Sequence, residues 1–472
     1  MCYCLRVPAG LWVDAFHAAR LVRRQPRCAA TAILVLAAGI GAAAAVFALV
    51  NAVLPTDMPF REPDRLAWTY NARTERDRAP LSIPDLEDDQ REARTAMSAG
   101  VAYLAAQTRA PTEATYIGSA ACSRCHAPIF NRWKQTRMAN VVRDPREQPE
   151  AILADFSRPN PIVTFTTDQI AFVYGSKFKQ RYFRQSGGDF FPLPAQWDVT
   201  HGEWRPYGVS GATSTLCDGC HSVNYDVTLK TVTEWNVGCE RCHGPGSEHV
   251  GRPSRSNIVN PARLNPVAAV DVCVQCHSEG RPPTQIDGHD YHWPVGFKVG
   301  RRLSDFWQLE PHTLGQTGGL HFADGTAREN RMQGNDFVQS LMYTRGVTCA
   351  SCHDPHGTPN NADLVKPARV VCLTCHGPTS PNGPHAASIE SHTHHQAASA
   401  GSECVGCHMP KIAQMLGDVM VRSHTFKFIA PAAAERLKMP DPCTTCHTGK
   451  TRAWATEALR SWPEFSPWRV GQ

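Results

Sequence analysis

The sequence predicts a mainly α-helical fold with much irregular structure, one small β-hairpin insertion and one N-terminal transmembrane helix. Three observations predict this fold. The pattern C-x-x-C-H occurs eight times, residues 29–54 contain no charged side chain, and the chain has 34 glycines and 36 prolines. So much turn-forming sequence around eight repeated motifs leaves little chain for a conventional core. Bound cofactors must therefore supply part of the buried apolar surface.

The eight motifs carry the signature of covalent haem c attachment. The two thiols bind the porphyrin vinyl groups, and the adjacent imidazole ligates the iron. Zinc knuckles also use paired C-x-x-C, and a disulfide framework is a second alternative. Neither explains a histidine directly after the second cysteine in every instance. Eight attached haems are therefore predicted, stacked within the fold, on Cys122, Cys125, His126, Cys217, Cys220, His221, Cys239, Cys242, His243, Cys273, Cys276, His277, Cys349, Cys352, His353, Cys372, Cys375, His376, Cys404, Cys407, His408, Cys443, Cys446 and His447.

The N-terminal part of the chain predicts a single-pass membrane anchor. Residues 29–54 are long enough to cross a bilayer, for which about 20 residues are needed. Arg20, Arg23, Arg24 and Arg27 precede this segment, so the positive-inside rule places the N-terminus in the cytoplasm. The haem-bearing part is then expected in the periplasm, at the bacterial inner membrane. A cleaved signal peptide is the alternative, although the apolar run exceeds the usual core of a signal peptide.

Residues 11–107 resemble the beginning of a macrolide-exporter or FtsX-type permease. The resemblance rests on FHAARLVRRQPRC before the apolar run and on PLSIPDLEDDQREARTAMSAGVAYLAAQ at residues 80–107. The later parts of such a permease are absent, so the resemblance does not imply transport. Either a permease fragment was fused as an anchor, or a gene model joins two neighbouring genes.

The spacing of the motifs indicates two related modules in tandem. Successive motifs start 95, 22, 34, 76, 23, 32 and 39 residues apart, so a long gap followed by 22 and 34 recurs as a long gap followed by 23 and 32. The two shortest gaps predict haem pairs that lie nearly in contact. The expected segments are a basic cytoplasmic segment (1–28), the transmembrane helix (29–54), a permease-like remnant or linker (55–112), and two modules of four haems each (113–300 and 301–472).

One stretch of the first module predicts β-structure. About residues 161–200, the sequences PIVTFTT, IAFVYGSKFKQRYFR and FFPLPAQWDV are rich in β-branched and aromatic residues. SGGD between the last two is a turn signal. We expect a small β-hairpin inserted between the first and second motifs.

Further side chains are candidates for the distal side of the irons. Met138 lies 12 residues after His126 and either ligates that iron, which would raise its reduction potential, or only packs in the fold. The histidines outside the motifs are candidate ligands as well, although a loop histidine can also simply face solvent. The first choices are His249, His321, His356, His395 and His424. The less certain candidates are His201, His289, His292, His312, His385, His392 and His394.

From about residue 116 to 460 the chain resembles multihaem cytochromes of the cytochrome c-554 type. The resemblance rests on YIGSAACSRCH, GSKFKQRYF, QWDVTHGEW, CERCHGPGSEHV, GVTCASCHDPHG, CVGCHMP and RSHTF. It implies that His249, His356 and His424 are distal ligands. Longer members of that family continue into tetratricopeptide repeats, whereas this chain ends at Gln472.

Two functions remain open at this point. The first is electron transfer through closely spaced, mostly bis-histidine haems, with redox proteins or quinone-linked membrane oxidoreductases as partners. The second is an octahaem oxidoreductase that acts on a small nitrogen or sulfur species at one haem with an open position. The C-x-x-C-K motif of some haem nitrite reductases is absent, which favours the first function. The formal charge of only +5 argues against nucleic-acid binding.

Overall fold

The computed structural model describes residues 70–72, 78–80, 114–380 and 388–462. The chain divides into two compact units, residues 1–81 and 82–472. In the first unit the described residues form an antiparallel pair, β1 (Tyr70–Ala72) and β2 (Arg78–Pro80). The predicted basic segment, the predicted transmembrane helix and most of the permease-like segment lie outside the described residues.

A five-stranded antiparallel sheet stands where the sequence predicted only a hairpin. Its strands follow the chain order β3-β4-β5-β6-β7. The predicted hairpin is its centre, since Ser186 pairs with Asp189 across the expected turn. The outer strands are too short to show a periodic pattern, and they form because partners exist in the sheet. The strands are β3 (Val142–Arg143), β4 (Phe172–Tyr174), β5 (Lys179–Ser186), β6 (Asp189–Asp198) and β7 (Glu203–Pro206).

The two faces of this sheet bury different clusters, because successive side chains of a strand point to opposite faces. One face carries an aromatic cluster that includes Phe156, Phe165, Val173, Tyr182 and Trp204. The other face carries Val142, Phe172, Tyr174 and Phe183, and it packs against Cys217 and Trp235. The sheet therefore covers the second motif.

The helices are short, and several of them begin or end at a motif. The longest described helix has 11 residues. The helices are α1 (Ser123–Trp133), α2 (Thr213–Leu216), α3 (Cys239–His243), α4 (Ser247–Gly251), α5 (Pro266–Val274), α6 (Gln333–Phe337), α7 (Leu341–Thr344), α8 (Ala368–His376), α9 (Ile389–Thr393), α10 (Cys404–His408), α11 (Pro431–Leu437), α12 (Pro442–Cys446) and α13 (Arg452–Arg460).

Three smaller antiparallel pairs and three further apolar clusters complete the described fold. Val270, Val274, Phe297, Trp307 and Phe337 form the first cluster, around α5 and α6. Phe322, Ile412, Ile429, Ala434 and Met439 form the second, around α11. Cys220, Tyr291 and Trp293 form the third, at the second motif. The strand pairs are β8 (Ser222–Val223) with β9 (Glu234–Trp235), β10 (Gly280–Arg281) with β11 (Gln308–Leu309), and β12 (Lys411–Leu416) with β13 (Val419–Arg422).

The fold class predicted from the sequence needs two corrections. First, the described fold is not mainly α with one hairpin, because it contains several sheets besides short helices and irregular chain. The sequence pattern near the motifs predicts helices clearly. Short strands leave no such pattern, because they form only where a distant segment pairs with them. Second, no helix of the described ranges is long and apolar enough to cross a membrane, so the transmembrane helix is not retained in the fold assignment.

Candidate haem sites

The eight motifs are called sites 1 to 8 in chain order, and their local backbone presents thiols and imidazole together. The motifs of sites 3, 6 and 7 lie within helices. At sites 2, 4, 5 and 8 the histidine amide donates to the carbonyl of the first cysteine, which closes one helical turn. The sixteen motif cysteines form no disulfide, so the disulfide alternative does not apply to them. The closed turns are those of His221 (3.1 Å), His277 (3.0 Å), His353 (2.9 Å) and His447 (2.8 Å).

Four motif histidines each face a second histidine at nearly the same distance. His126 and His249 have ring centres 6.3 Å apart, with planes 14° from parallel. The other pairs are His243 with His356 at 6.1 Å, His408 with His392 at 6.2 Å, and His447 with His395 at 6.1 Å.

This spacing fits an iron between the two rings. Two metal–nitrogen bonds of about 2 Å each, with about 1.1 Å from each nitrogen to its ring centre, give roughly 6.2 Å between the ring centres. Direct stacking of the rings would be much tighter. The residues present therefore fit haems with two axial histidines at sites 1, 3, 7 and 8.

Hydrogen bonds to Nδ1 leave Nε2 as the ligating atom. The Nδ1 atom of His243 donates to the Val259 carbonyl at 2.7 Å, and that of His353 to the Ala362 carbonyl at 2.9 Å. His356 makes the corresponding contact with a carboxylate, since its Nδ1 lies 2.8 Å from Asp354 Oδ1. Such contacts fix the orientation of a metal-ligating imidazole.

At sites 1 and 3 the paired histidines come from distant parts of the chain. His249 follows site 3 but faces site 1, and His356 follows site 5 but faces site 3. His392 faces site 7, although its sequence gave no reason to prefer it over its neighbours. Sites are therefore tied to one another by the ligands they exchange.

His424 lies near two motif histidines, His353 and His277. Burial is the main cause that lowers the pKa of His424 to about 4. A neutral imidazole is the form that binds a metal. His424 is thus available to site 4 or site 5, in keeping with its predicted role as a distal ligand.

The remaining candidates occupy other environments. His201 Nδ1 bonds the buried carboxylate of Asp198 at 2.9 Å. His312 and His321 face each other at 5.1 Å, which is too close for an iron between them, and His321 Nε2 has no hydrogen-bond partner among the described residues. Met138 lies in a short 3₁₀ turn, while the place opposite His126 is taken by His249. His394 stacks on Trp462, His289 contacts Tyr291, His292 is exposed, and His385 lies outside the described residues.

Site 2 differs from the four paired sites. The ring next to His221 is that of Tyr174, with centres 5.2 Å apart, and no described histidine is in ring contact with His221. The Tyr174 hydroxyl donates to Asp218 Oδ1 at 2.8 Å. Burial, followed by the positive charges of Arg331 and Arg181, lowers the pKa of His221 to about 4. Burial also raises the pKa of Asp218 to about 6.

Contacts between motifs define a spatial order that differs from the chain order. The thiols of sites 1 and 3, 2 and 4, 4 and 5, and 6 and 7 lie within hydrogen-bonding reach of each other. Sites 3 and 4 meet through Arg241, whose Nη2 lies 4.0 Å from Cys276 Sγ. Sites 5 and 6 and sites 7 and 8 are electrostatic neighbours. These contacts give the order 1, 3, 4, 5, 6, 7, 8. Site 2 contacts site 4 and lies outside this series.

These thiol pairs do not follow the shortest sequence gaps. The 22-residue gap separates sites 2 and 3, yet their thiols pair with sites 4 and 1, respectively. The shortest gap therefore does not predict a thiol pair, whereas sites 5 and 6, which are 23 residues apart, are neighbours.

One other cluster has metal-ligand side chains within reach of one another. Asp198, His201 and Glu203 could share a cation. However, the Arg205 guanidinium lies 3.5 Å from Asp198 and 2.5 Å from Glu203. That positive charge already neutralises the cluster, so a metal there is disfavoured.

Comparisons with known proteins concern the C-x-x-C-H motifs and the fold. The family model for a doubled CXXCH motif matches residues 343–381, which contain sites 5 and 6. The multiheme cytochrome MtrA of Shewanella baltica is 22% identical over 141 residues, or 29% of this chain, and the match spans 41% of that protein. Together, the motifs and these matches support a multihaem c-type cytochrome. Haem is attached covalently through C-x-x-C-H motifs.

The fold of this multihaem cytochrome is also similar to that of a solved structure. The outer cell wall cytochrome OcwA superimposes with a TM-score of 0.61 at 22% identity, over 74% of this chain and 86% of that one. An undecaheme cytochrome from the S-layer of Carboxydothermus ferrireducens gives a TM-score of 0.45 at 18% identity, over 81% of this chain and 65% of that one.

Proposed function

We propose that the chain is an octahaem electron-transfer cytochrome, which passes electrons between redox partner proteins outside the cytoplasm. The observation that carries this proposal is the set of four histidine pairs at 6.1–6.3 Å, in sites that touch one another. An iron with two axial histidines has no free position for a substrate. Its remaining role is to accept and donate an electron.

The arrangement of the sites supports conduction over the whole haem region. Contacts run from site 1 through sites 3, 4 and 5 to sites 6, 7 and 8. A bound haem supplies the one-electron redox centre at each site, and the chain sets its potential through the axial ligand, burial and nearby charge. No enclosed substrate pocket is required for this function, only surfaces on which partners dock.

The experiment that tests this function is potentiometric titration of the holo-protein, after haem quantification. We expect about eight haems per chain, and electrons added at one end should distribute over all of them reversibly. A haem content far below eight, or a fraction of haem that no mediator can reduce, would count against the octahaem wire.

The environment of site 2 favours a second candidate, an oxidoreductase acting on a small nitrogen or sulfur species. His221 has a tyrosine rather than a histidine in ring contact, and Arg181 and Arg331 place positive charge near it. Nitrite, hydroxylamine and tetrathionate are the substrates to test. Turnover of one of them that is lost in His221→Ala but kept in His126→Ala would establish this activity at site 2.

A further inference from the structure

A basic surface surrounds site 1. Residues 114–143 contain five arginines and lysines and no aspartate or glutamate. The surface, called the site 1 face, consists of the exposed side chains of Arg124, Lys134, Arg137 and Lys411 with the half-buried Lys177. Three separate segments of the chain supply these cations, so the concentration of charge is a property of the fold.

The cations of the site 1 face lack internal carboxylate partners. Among the described residues, Arg124, Lys134 and Arg137 form no ion pair, whereas the neighbouring Arg132 is bound to Asp354 at 3.1 Å and to the Gly357 carbonyl at 2.8 Å. Lys177 is held by the neutral Asn361 side chain, with Nζ 3.2 Å from Oδ1. The face therefore keeps a net positive charge that is available to a partner.

The cations also repel one another. Burial, together with the positive charges of Arg137 and Lys411, lowers the pKa of Lys177, although Asp363 opposes this effect. Like charges held together at a surface destabilise the isolated protein and are relieved when an anionic surface covers them.

The site 1 face lies at one end of the series of sites. α1 begins inside the site 1 motif, and Cys125 and His126 are both exposed. By contrast, Cys220 of site 2 is buried. Site 1 connects inward through site 3, since the Cys239 amide donates to Ser119 Oγ at 2.8 Å. Site 1 is therefore the part of the series that a partner bound to this face would reach first.

We propose that the site 1 face is the docking surface for an acidic redox partner protein, which exchanges electrons with the haem at site 1. This inference rests on the proposed electron-transfer function. Charge complementarity would raise the association rate constant and orient the partner with its redox centre towards site 1. Such steering weakens as salt shortens the range of the charges, with a Debye length of about 10 Å at 0.1 M.

The test is stopped-flow reduction of the oxidised holo-protein by reduced flavodoxin, an acidic one-electron donor. The test variant replaces three cations, Arg124→Gln, Lys134→Gln and Arg137→Gln. The matched control removes the same charge elsewhere, with Arg345→Gln, Arg436→Gln and Lys438→Gln at exposed positions. Haem content and dithionite reduction are measured for each protein, to establish that both variants are folded and loaded.

We expect the second-order rate constant of the wild type to fall steeply between 20 and 300 mM salt, roughly as for other steered associations. At low salt the test variant should react about tenfold more slowly than the wild type, with a flatter salt dependence, while the control stays within about twofold. Equal losses in both variants, or no loss in either, would overturn the docking proposal.

Two further outcomes are distinguishable. If vesicles of phosphatidylglycerol bind the wild type and not the test variant, while flavodoxin rates are equal in both, the face binds lipid and the docking proposal is wrong. If flavodoxin fails to reduce any protein that dithionite reduces fully, at every salt concentration, the proposed electron-transfer function itself is contradicted.

Discussion

His249 and His126 face each other across 6.3 Å, although 122 residues of chain separate them. The intervening chain contains the five-stranded sheet and sites 2 and 3. A distal ligand delivered from beyond site 3 ties site 1 to the region around that site. Assembly of site 1 is therefore coupled to the folding of residues 126–249.

We first predict that His249→Ala converts one haem from low spin to high spin. The substitution removes the imidazole opposite His126 and leaves that iron with a free position. Electron paramagnetic resonance of the oxidised protein measures the change, and the high-spin signal should integrate to about one haem per chain. His289→Ala is the control, since His289 is exposed and its ring contacts Tyr291 rather than a motif histidine. An unchanged spectrum in His249→Ala would refute the pairing.

A second prediction concerns the carboxylate behind a ligand. Asp354 Oδ1 lies 2.8 Å from His356 Nδ1, and this contact increases the electron donation of the imidazole to its iron. Asp354→Asn should therefore raise the midpoint potential of one haem, that of site 3. Potentiometric titration of the variant and of the wild type measures this change in midpoint potential. The prediction fails if the potential of that haem falls, or if all haems shift equally.

The third prediction concerns the contribution of Glu240 to the stability of the folded protein. Its buried carboxylate accepts hydrogen bonds from the amides of Ile117, Gly118 and Gly246, at 2.7–3.1 Å. Glu240→Gln puts an NH₂ group against those donors and should lower the free energy of unfolding by about 2–3 kcal/mol. Denaturant unfolding of the holo-protein measures the loss. Glu435→Gln at an exposed position of α11 is the comparison, and an equal effect there would contradict a special role for Glu240.

The fourth prediction is a pH dependence that comes from His201. Its hydrogen bond to Asp198 raises the pKa of His201 above 6.5. The folded state therefore holds this proton more tightly than the unfolded state. The stabilisation is complete below pH 6.5 and is lost as the pH rises through the raised pKa. Melting temperatures of His201→Gln should be lower than those of the wild type at pH 5.5 and equal at pH 9; a gap that widens towards pH 9 would show the opposite sign.

The sequence predicted the motifs and the centre of the sheet because both are local. The pairing of Ser186 with Asp189 follows from a turn signal between two aromatic strands. β3 and β7 could not be predicted, because strands of two and four residues form only where a distant edge accepts them. Contacts between sites, such as that of Cys122 with Cys239, could not be predicted either, because they join residues that are far apart in the chain.

The candidate distal ligands were also predicted only in part. His249 and His356 were expected from a resemblance to a known family, and the structure brings each to a motif histidine. His392 and His395 lie in one short, histidine-rich stretch, and the sequence favoured only His395. The structure places both opposite motif histidines, because α9 ends at Thr393 and the chain then turns.

Four of the eight irons are expected between two histidines, in a continuous series of about eight haems. Electron paramagnetic resonance of the oxidised holo-protein tests this arrangement most directly, with haem quantified on the same sample. We expect about eight haems per chain and low-spin signals from at least the four haems at sites 1, 3, 7 and 8. Any high-spin signal should come from the other sites, such as site 2. Far fewer than eight haems, or a spectrum that is mainly high-spin, would contradict this arrangement.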